Sequence, residues 1–364
     1  MRSCKFKFIA LPWLIILASF NSHSQKAYDL GASYTHGLNI NKVGDREFGK
    51  SIPSGIELNF HQQRDGDKYW EKLFNYPQTG WSLTWIDHRN KFLGNTFALN
   101  RYMNYVFWRG RSLEAYLKLS QGIMYATKVY EYGSRGNEHF NNAISQSVNF
   151  SEELGLGLNF YPSRHLGINL AATLMHFSNG AISQPNDGLN LLMFRMGAVY
   201  IIGEKENVEF KDPEPEEDDR SIRYNITVGC GIKQFSPELE EKFQQTTISF
   251  YADKKVSRVN TFNFGVDLFM NKAVEYLIES EYGFKKIDHK RIGISAGHEF
   301  LIHRVGILTQ VGYHVYSPRA AISRFYQKFG LKYYISDLFF VTFTNRIFEF
   351  AISDEITWGI GVRL

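Results

Sequence analysis

The chain has 364 residues, 44% of them hydrophobic and 21% charged, a composition that excludes a disordered protein. Two cysteines exclude a disulfide scaffold and a multi-cysteine metal centre, and a net charge of +4 spread along the chain gives no support for nucleic-acid binding. The slightly negative mean hydropathy argues against a helical membrane protein. A β-barrel has an equally neutral average, because its strands alternate apolar and polar residues.

The first 24 residues have the layout of a secretory signal peptide. Three basic residues precede an apolar run over residues 8–20, which is too short to span a bilayer as a helix, and small residues then offer a cleavage site. An uncleaved N-terminal anchor is the alternative. Cleavage after Ser24 removes Cys4 and three positive charges, which lowers the net charge from +4 to +1 and leaves Cys230 alone. We therefore predict an exported protein without an intramolecular disulfide.

Beyond this leader, the chain alternates apolar and polar residues. The alternation is clearest over residues 30–40, 222–233, 305–315 and 356–364. Such strands build either a soluble sheet or a membrane barrel with lipid outside and a polar lumen. Segments of about ten residues, polar faces rich in Gly, Asn and Thr, and aromatic residues near segment ends favour the barrel. We predict an all-β protein, an antiparallel transmembrane β-barrel of the Gram-negative outer membrane, with a soluble all-β protein as the alternative.

Two barrel architectures fit the pattern. About eight candidate strands precede residue 203 and about eight follow residue 221, separated by an acidic, proline-containing stretch that is typical of a linker or aqueous turn. We favour a single barrel of about 14–16 strands, because one closed sheet leaves no edges. Two tandem eight-stranded barrels are the alternative. The predicted organisation is a signal peptide (1–24), a first half (25–203), the acidic linker or turn (204–220) and a C-terminal strand half (221–364).

One hairpin carries side chains suited to nucleophilic catalysis. The alternation of residues 166–174 continues to His176 and Ser178, which therefore share the outward, apolar row. The return strand brings Asn190 to the same face at its loop end. A serine nucleophile needs a base such as His to take its proton, and the base needs a third group to orient it. The alternative is a set of polar residues at the membrane–water boundary.

The hairpin carries one string of residues, made up of His176, Phe177, Ser178, Asn179, Gly180, Ala181, Pro185, Asn186, Gly188 and Asn190. This string resembles the signature of PagL-type lipid A 3-O-deacylases, also called acyloxyacyl hydrolase-like outer-membrane proteins. Looser resemblance covers residues 26–202, whereas residues 221–364 look like the extension of longer family versions. The resemblance implies an outer-membrane β-barrel hydrolase that removes the ester-linked acyl chain at the 3 position of lipid A. Its partners would be lipopolysaccharide and outer-membrane lipids, with the site facing lipid.

Carried over residue by residue, the resemblance implies that Ser178 is the nucleophile and His176 the general base. Asn179 and the backbone near Gly180 would contribute to an oxyanion hole. Family members place a Glu on the following strand to orient the His, and here the matching position holds Asn190.

That departure changes the predicted chemistry. Asn accepts a hydrogen bond from imidazole but supplies no negative charge to the imidazolium. A slower enzyme, a different acid and a barrel without catalysis are all compatible with Asn190. Asn186 and Gly188, in the same string, are further candidates for positioning the substrate.

Other polar residues carry weaker signals. Glu152 and Glu153 are interpreted as lining of the lumen, and Asp187 is an acid in the hairpin loop. The pairs Asp87-His88 and Glu138-His139 each lack a third metal ligand. With no phosphate-binding loop or dinucleotide fingerprint, neither cofactor nor metal is predicted.

The non-catalytic alternative is a channel, a hydrophobic-solute transporter or a structural barrel, and no oligomeric state is predicted.

Overall fold

The computed structural model describes residues 28–41, 51–131, 141–203, 210–213, 219–272, 275–276, 288–317, 323–350 and 352–364. The predicted signal peptide and much of the acidic segment lie outside these ranges. The described residues include sixteen β-strands and a short helix, α1 (Tyr69–Leu73). Among them, no helix is long and apolar enough to cross a membrane.

The first eight strands close into one antiparallel barrel. Each strand pairs with the next along the chain, and the first and last strands complete the cylinder through twelve opposed residue pairs. Helix α1 lies in the connection between the second and third strands. The strands of this first barrel are β1 (Tyr28–Asn39), β2 (Ser54–Gln63), β3 (Gln78–Asp87), β4 (Asn95–Arg109), β5 (Leu113–Ala126), β6 (Val148–Phe160), β7 (Leu166–Ser178) and β8 (Leu189–Ile202).

The second eight strands form another closed barrel. Here the closing contact joins the last strand to the first of the set, with Ile360 opposite Val228 near its centre. The strands of this second barrel are β9 (Ile222–Gln234), β10 (Lys242–Lys255), β11 (Asn260–Asn271), β12 (Lys290–Ile302), β13 (Val305–Tyr316), β14 (Phe325–Tyr334), β15 (Phe339–Phe348) and β16 (Ile352–Arg363).

These pairings confirm the all-β, antiparallel barrel prediction and select the tandem alternative. The favoured single barrel of about 14–16 strands is wrong, because β1 pairs with β8 and β9 pairs with β16. Each half therefore closes without edges. Because both architectures close without edges, the avoidance of exposed edges does not favour one closed cylinder over two.

Alternation along each strand separates an apolar outer wall from a polar interior. In β1, the outward Leu30 and Tyr34 are about half exposed, whereas the inward Asp29 and Ser33 are almost fully buried. The same pattern runs through β9, where Tyr224 faces outward and Asn225 inward. A wall of exposed apolar side chains is stable against lipid, and the polar groups inside must find partners within the lumen.

The lumen of the first barrel holds a buried ion-pair network. Arg195 Nη2 lies 2.7 Å from Glu57 Oε2, and Lys118 Nζ lies 2.8 Å from Glu153 Oε2. An eight-stranded barrel encloses only enough space for side chains, so these charges pair with one another inside it.

The loop end of this lumen is apolar, contrary to a uniformly polar interior. This apolar cluster lies on the lumen side of the strand ends that carry the candidate site. Its buried residues are Ile86, Leu93, Ala98, Met124, Ala126, Ala143, Ile144, Met175, Phe177, Leu189, Leu191 and Met193. The side chains of β7 and β8 that point inward therefore anchor the hairpin, while their neighbours point outward.

The lumen of the second barrel is also filled with paired charges. Arg346 Nη2 lies 2.6 Å from Glu355 Oε2, and Lys328 Nζ lies 2.6 Å from Asp267 Oδ1. The fully buried Lys332 lies 3.3 Å from a Glu299 oxygen. Buried pairs of this kind occupy the interior with side chains.

Candidate functional site

The candidate site is built on the loop end of β7. Phe177 and Met175 point into the apolar cluster and are fully buried. His176 and Ser178 alternate with them, are half-buried, and share the outward row with the exposed Leu174. Because side chains two residues apart on a strand point the same way, the imidazole and the hydroxyl lie on one face.

Strand pairing brings Asn190 beside His176. The two residues are directly opposite in the β7–β8 register. The Nδ1 atom of His176 lies 2.7 Å from Oδ1 of Asn190. Since an amide oxygen only accepts hydrogen bonds, Nδ1 carries the proton and Nε2 keeps its lone pair free to accept one. This tautomer is the one that a general base for Ser178 requires.

Asn41 braces this hairpin from the end of β1. Its Oδ1 accepts the backbone N–H of Asn190 at 2.6 Å, and its Nδ2 donates to the carbonyl of Gly188 at 2.6 Å. Asn41 is not predictable from the sequence pattern, because it lies 149 residues from Asn190 and no local spacing connects them. Only the pairing of β1 with β8 brings it to the site.

Gly188 lets the loop backbone approach the His176 ring. A Cβ atom at this position would lie 2.8 Å from Cε1 of His176, and the residue adopts a φ of +73°. Both features require glycine. The Gly188 N–H donates to the Ala143 carbonyl at 3.2 Å, which holds the loop against the neighbouring connection.

Asn179 and Asn186 shape the loop. The N–H of Asn179 donates to Oδ1 of Asn186 at 3.0 Å, and the buried Asn179 side chain donates through Nδ2 to Oγ of Ser145 at 3.0 Å. These donors are therefore engaged in holding the loop. After Asn179, Gly180 takes a φ of +60°, which turns the backbone sharply beyond Ser178.

The two adjacent glutamates on β6 lie on opposite faces. Glu153 is buried in the lumen beside Lys118, as expected. Glu152 is exposed on the outer wall and opposes His176 in the β6–β7 register. The interpretation of Glu152 as lumen lining is therefore wrong, because consecutive residues of a strand point to opposite sides. Strict alternation from Leu154 would have placed Glu152 outward from sequence alone.

The remaining candidates lie elsewhere. Asp187 is exposed in the loop, and its N–H donates to the Asn142 carbonyl at 3.0 Å. His88 is fully buried with Nε2 3.2 Å from Oγ1 of Thr96, and burial lowers its pKa to about 4.

Glu138 and His139 lie outside the described residues. In the described ranges, no three His, Cys, Asp or Glu side chains are grouped to hold a metal ion.

Two protein-family models match the chain, one on each barrel. Residues 54–198 match the model described as "Lipid A 3-O-deacylase (PagL)". Residues 222–364 match the model described as "Acyloxyacyl hydrolase, C-terminal domain". Closed antiparallel barrels with apolar outer walls are the architecture of outer-membrane proteins, and this chain is one of them. It belongs to the PagL-type lipid A 3-O-deacylase family, the acyloxyacyl hydrolase-like outer-membrane proteins.

Solved structures were also compared with the chain. The outer membrane enzyme PagL is 20% identical, with 46% of this chain and 97% of that one covered and a TM-score of 0.30. Neisserial surface protein A is 9% identical, with 49% of this chain and 98% of that one covered and a TM-score of 0.34. Ail, the attachment invasion locus protein of Yersinia pestis, is 14% identical, with 49% of this chain and 100% of that one covered and a TM-score of 0.30. A comparison with curated proteins gave no match.

Proposed function

We propose that the protein is a serine esterase of the outer membrane that hydrolyses the 3-O-linked acyl chain of lipid A. The observation that carries the proposal is the 2.7 Å contact between His176 Nδ1 and Asn190 Oδ1, on the same outward row as Ser178. The match of residues 54–198 to the lipid A 3-O-deacylase model supports the choice of substrate.

In the proposed reaction, Ser178 Oγ attacks the ester carbonyl carbon and His176 Nε2 takes the hydroxyl proton. The tetrahedral intermediate carries an oxyanion, for which we assign the backbone N–H at Gly180 as a stabilising donor. Collapse breaks the ester bond, and the imidazolium returns its proton to the departing sugar oxygen. Water, activated by the same imidazole, then hydrolyses the acyl-serine and releases a fatty acid.

The position of the site suits a lipid substrate. The exposed Leu174 and Leu170 continue the row of His176 along β7, so acyl chains can lie against the wall below the hydroxyl. The substrate then needs no extraction from the membrane. The loop end of β7 lies at the polar boundary, where water has access for the second step.

Mass spectrometry of lipid A tests the proposal. Cells expressing the full chain should yield lipid A that lacks one 3-hydroxyacyl chain, and cells expressing Ser178→Ala should not. Ser163→Ala, before β7 at the opposite end of that strand, is the matched control and should retain activity. Identical lipid A from wild type and Ser178→Ala, with both shown to be folded in the membrane, would overturn the proposal.

The rival hypothesis of a channel has weaker support. Both lumens contain buried, paired charges, including Arg195 with Glu57 in the first barrel and Arg346 with Glu355 in the second. These side chains occupy the space through which a solute would pass. Conductance in planar bilayers at the background level is the expected result.

A further inference from the structure

His176 is flanked by a polar side chain on each neighbouring strand. The β6–β7 register places Glu152 directly opposite His176, and the β7–β8 register places Asn190 opposite it on the other side. Directly opposed residues on antiparallel strands have Cβ atoms about 4.5–5.5 Å apart. Glu152, His176 and Asn190 therefore form one transverse row across three adjacent strands.

All three members of this row are on the outer wall. Glu152 is exposed, like Leu154 two residues further along β6, whereas Ser151 and Glu153 are buried in the lumen. Within the described part of the chain, no basic side chain forms an ion pair with Glu152, and the side chain opposite it on β7 is His176. By contrast, Glu153 is paired with Lys118 and Arg195.

Among the side chains that flank the His176 imidazole on the adjoining strands, Glu152 is the acidic one. Asn190 on β8 is uncharged, and the β7 row on either side of His176 holds Leu174 and Ser178. The acid of the connecting loop, Asp187, is exposed and lies outside the row. Glu152 is therefore the ionisable side chain that faces His176 from the two adjoining strands.

We propose that Glu152 is a positioning residue that supplies the negative charge opposite His176, while Asn190 fixes the imidazole tautomer. The inference rests on the proposed esterase function. When Ser178 transfers its proton to Nε2, the imidazolium gains a positive charge between a neutral amide and the Glu152 carboxylate. In this role the ionised carboxylate accepts no proton from the imidazolium and acts by stabilising its charge. The orienting and charge-stabilising roles, which one carboxylate performs in a Ser-His-Asp triad, are thus divided between two strands.

The variant Glu152→Gln tests this division of roles, because it keeps the shape and removes the charge. We expect kcat on lipid A to fall about tenfold with little change in KM. The acidic limb of the pH profile should move to lower pH, since the protonated imidazole loses its favourable neighbour. Asp187→Asn removes a nearby acid from outside the row and is the matched control, with unchanged kinetics expected.

A second variant distinguishes electrostatic from structural effects. Adding Asn190→Glu to Glu152→Gln returns a carboxylate to the other side of His176 and should restore both kcat and the acidic limb. If Glu152→Gln loses activity but its pH profile does not shift, Glu152 has a structural role and the inference is overturned. The same conclusion follows if Asn190→Glu does not restore the activity of Glu152→Gln. Unchanged kinetics in Glu152→Gln also overturns it.

A readout independent of turnover separates this inference from the proposed function. In histidine-labelled protein in detergent micelles, the NMR signal of His176, identified by its absence in His176→Asn, should titrate at lower pH in Glu152→Gln than in wild type. Equal titrations would refute the inference even if the esterase is active. A shifted titration in a protein that leaves lipid A intact would support the pairing and refute the proposed function alone.

Discussion

The Nδ1 atom of His176 and the Oδ1 atom of Asn190 lie 2.7 Å apart across the β7–β8 pair. A neutral amide therefore makes the contact that a carboxylate makes in a Ser-His-Asp triad. The geometry needed to orient the base is present, while the charge must come from another residue.

Removing the side-chain amide of Asn190 should leave the His176 imidazole without a fixed orientation. We expect Asn190→Ala to lower kcat for lipid A deacylation about 100-fold, because His176 loses the hydrogen bond that selects its tautomer. Asn190→Glu should match or exceed wild type, since the carboxylate oxygen accepts the same hydrogen bond and adds charge. Steady-state kinetics with purified protein in detergent measure both. Full activity in Asn190→Ala would show that the 2.7 Å contact has no role in turnover.

Substitution of Gly188 should displace the imidazole. Its missing Cβ would lie 2.8 Å from Cε1 of His176, so Gly188→Ala should reduce kcat at least about tenfold by moving the ring away from Asn190. Gly203→Ala is the matched control, because Gly203 also has a left-handed backbone, with a φ of +88°. Both variants should lose about 1 kcal/mol of stability. Equal activity in the two would contradict the steric role of Gly188.

The brace formed by Asn41 should contribute to turnover without contacting His176. Asn41→Ala removes the acceptor for the Asn190 N–H and the donor to the Gly188 carbonyl, and we expect about a fivefold loss of kcat. Asn41→Asp keeps the acceptor and should lie between the alanine variant and wild type. An aspartate variant as impaired as the alanine variant would assign the main effect to the donor to Gly188.

The apolar cluster beneath the hairpin should determine its stability. Phe177 is fully buried there, and we expect Phe177→Ala to cost about 3–5 kcal/mol through lost burial and the cavity it leaves. Phe194→Ala, on the lipid-facing side of β8, provides the comparison and should cost less. Urea unfolding in the presence of lipid vesicles measures the difference. Equal costs would indicate that the cluster is loosely packed.

His88 should make the first barrel sensitive to acid. Burial lowers the pKa of His88 to about 4 from an ordinary value of 6.5, with partial opposition from Asp87. The unfolded chain therefore binds a proton more readily between these values, so stability present above pH 6.5 is lost as the pH falls to about 4. The loss amounts to about 3 kcal/mol. Thermal unfolding in micelles should show a shallower pH dependence in His88→Gln over this window.

The alternation of apolar and polar residues is enough to predict part of the candidate site. Alternation along 166–178 placed His176 and Ser178 on the outward row, and the return strand placed Asn190 opposite in a register that the structure shares. Alternation also implies an outward Glu152, which corrects the interpretation of both adjacent glutamates as lumen lining. Asn41 had no such signal, because its contacts to Gly188 and Asn190 depend on closure of the barrel.

A period of two residues is a local property of the chain, so the strand class, the outward and inward faces and the hairpin with the candidate nucleophile are all predictable from the sequence. Closure of β1 on β8 and of β9 on β16, which gives two barrels, is seen only in the folded chain. Closure depends on pairing between strands far apart in the chain, which no local period encodes. The β1–β8 closure also brings Asn41 to the backbone of Asn190, whereas Glu152 reaches His176 through the pairing of the consecutive strands β6 and β7.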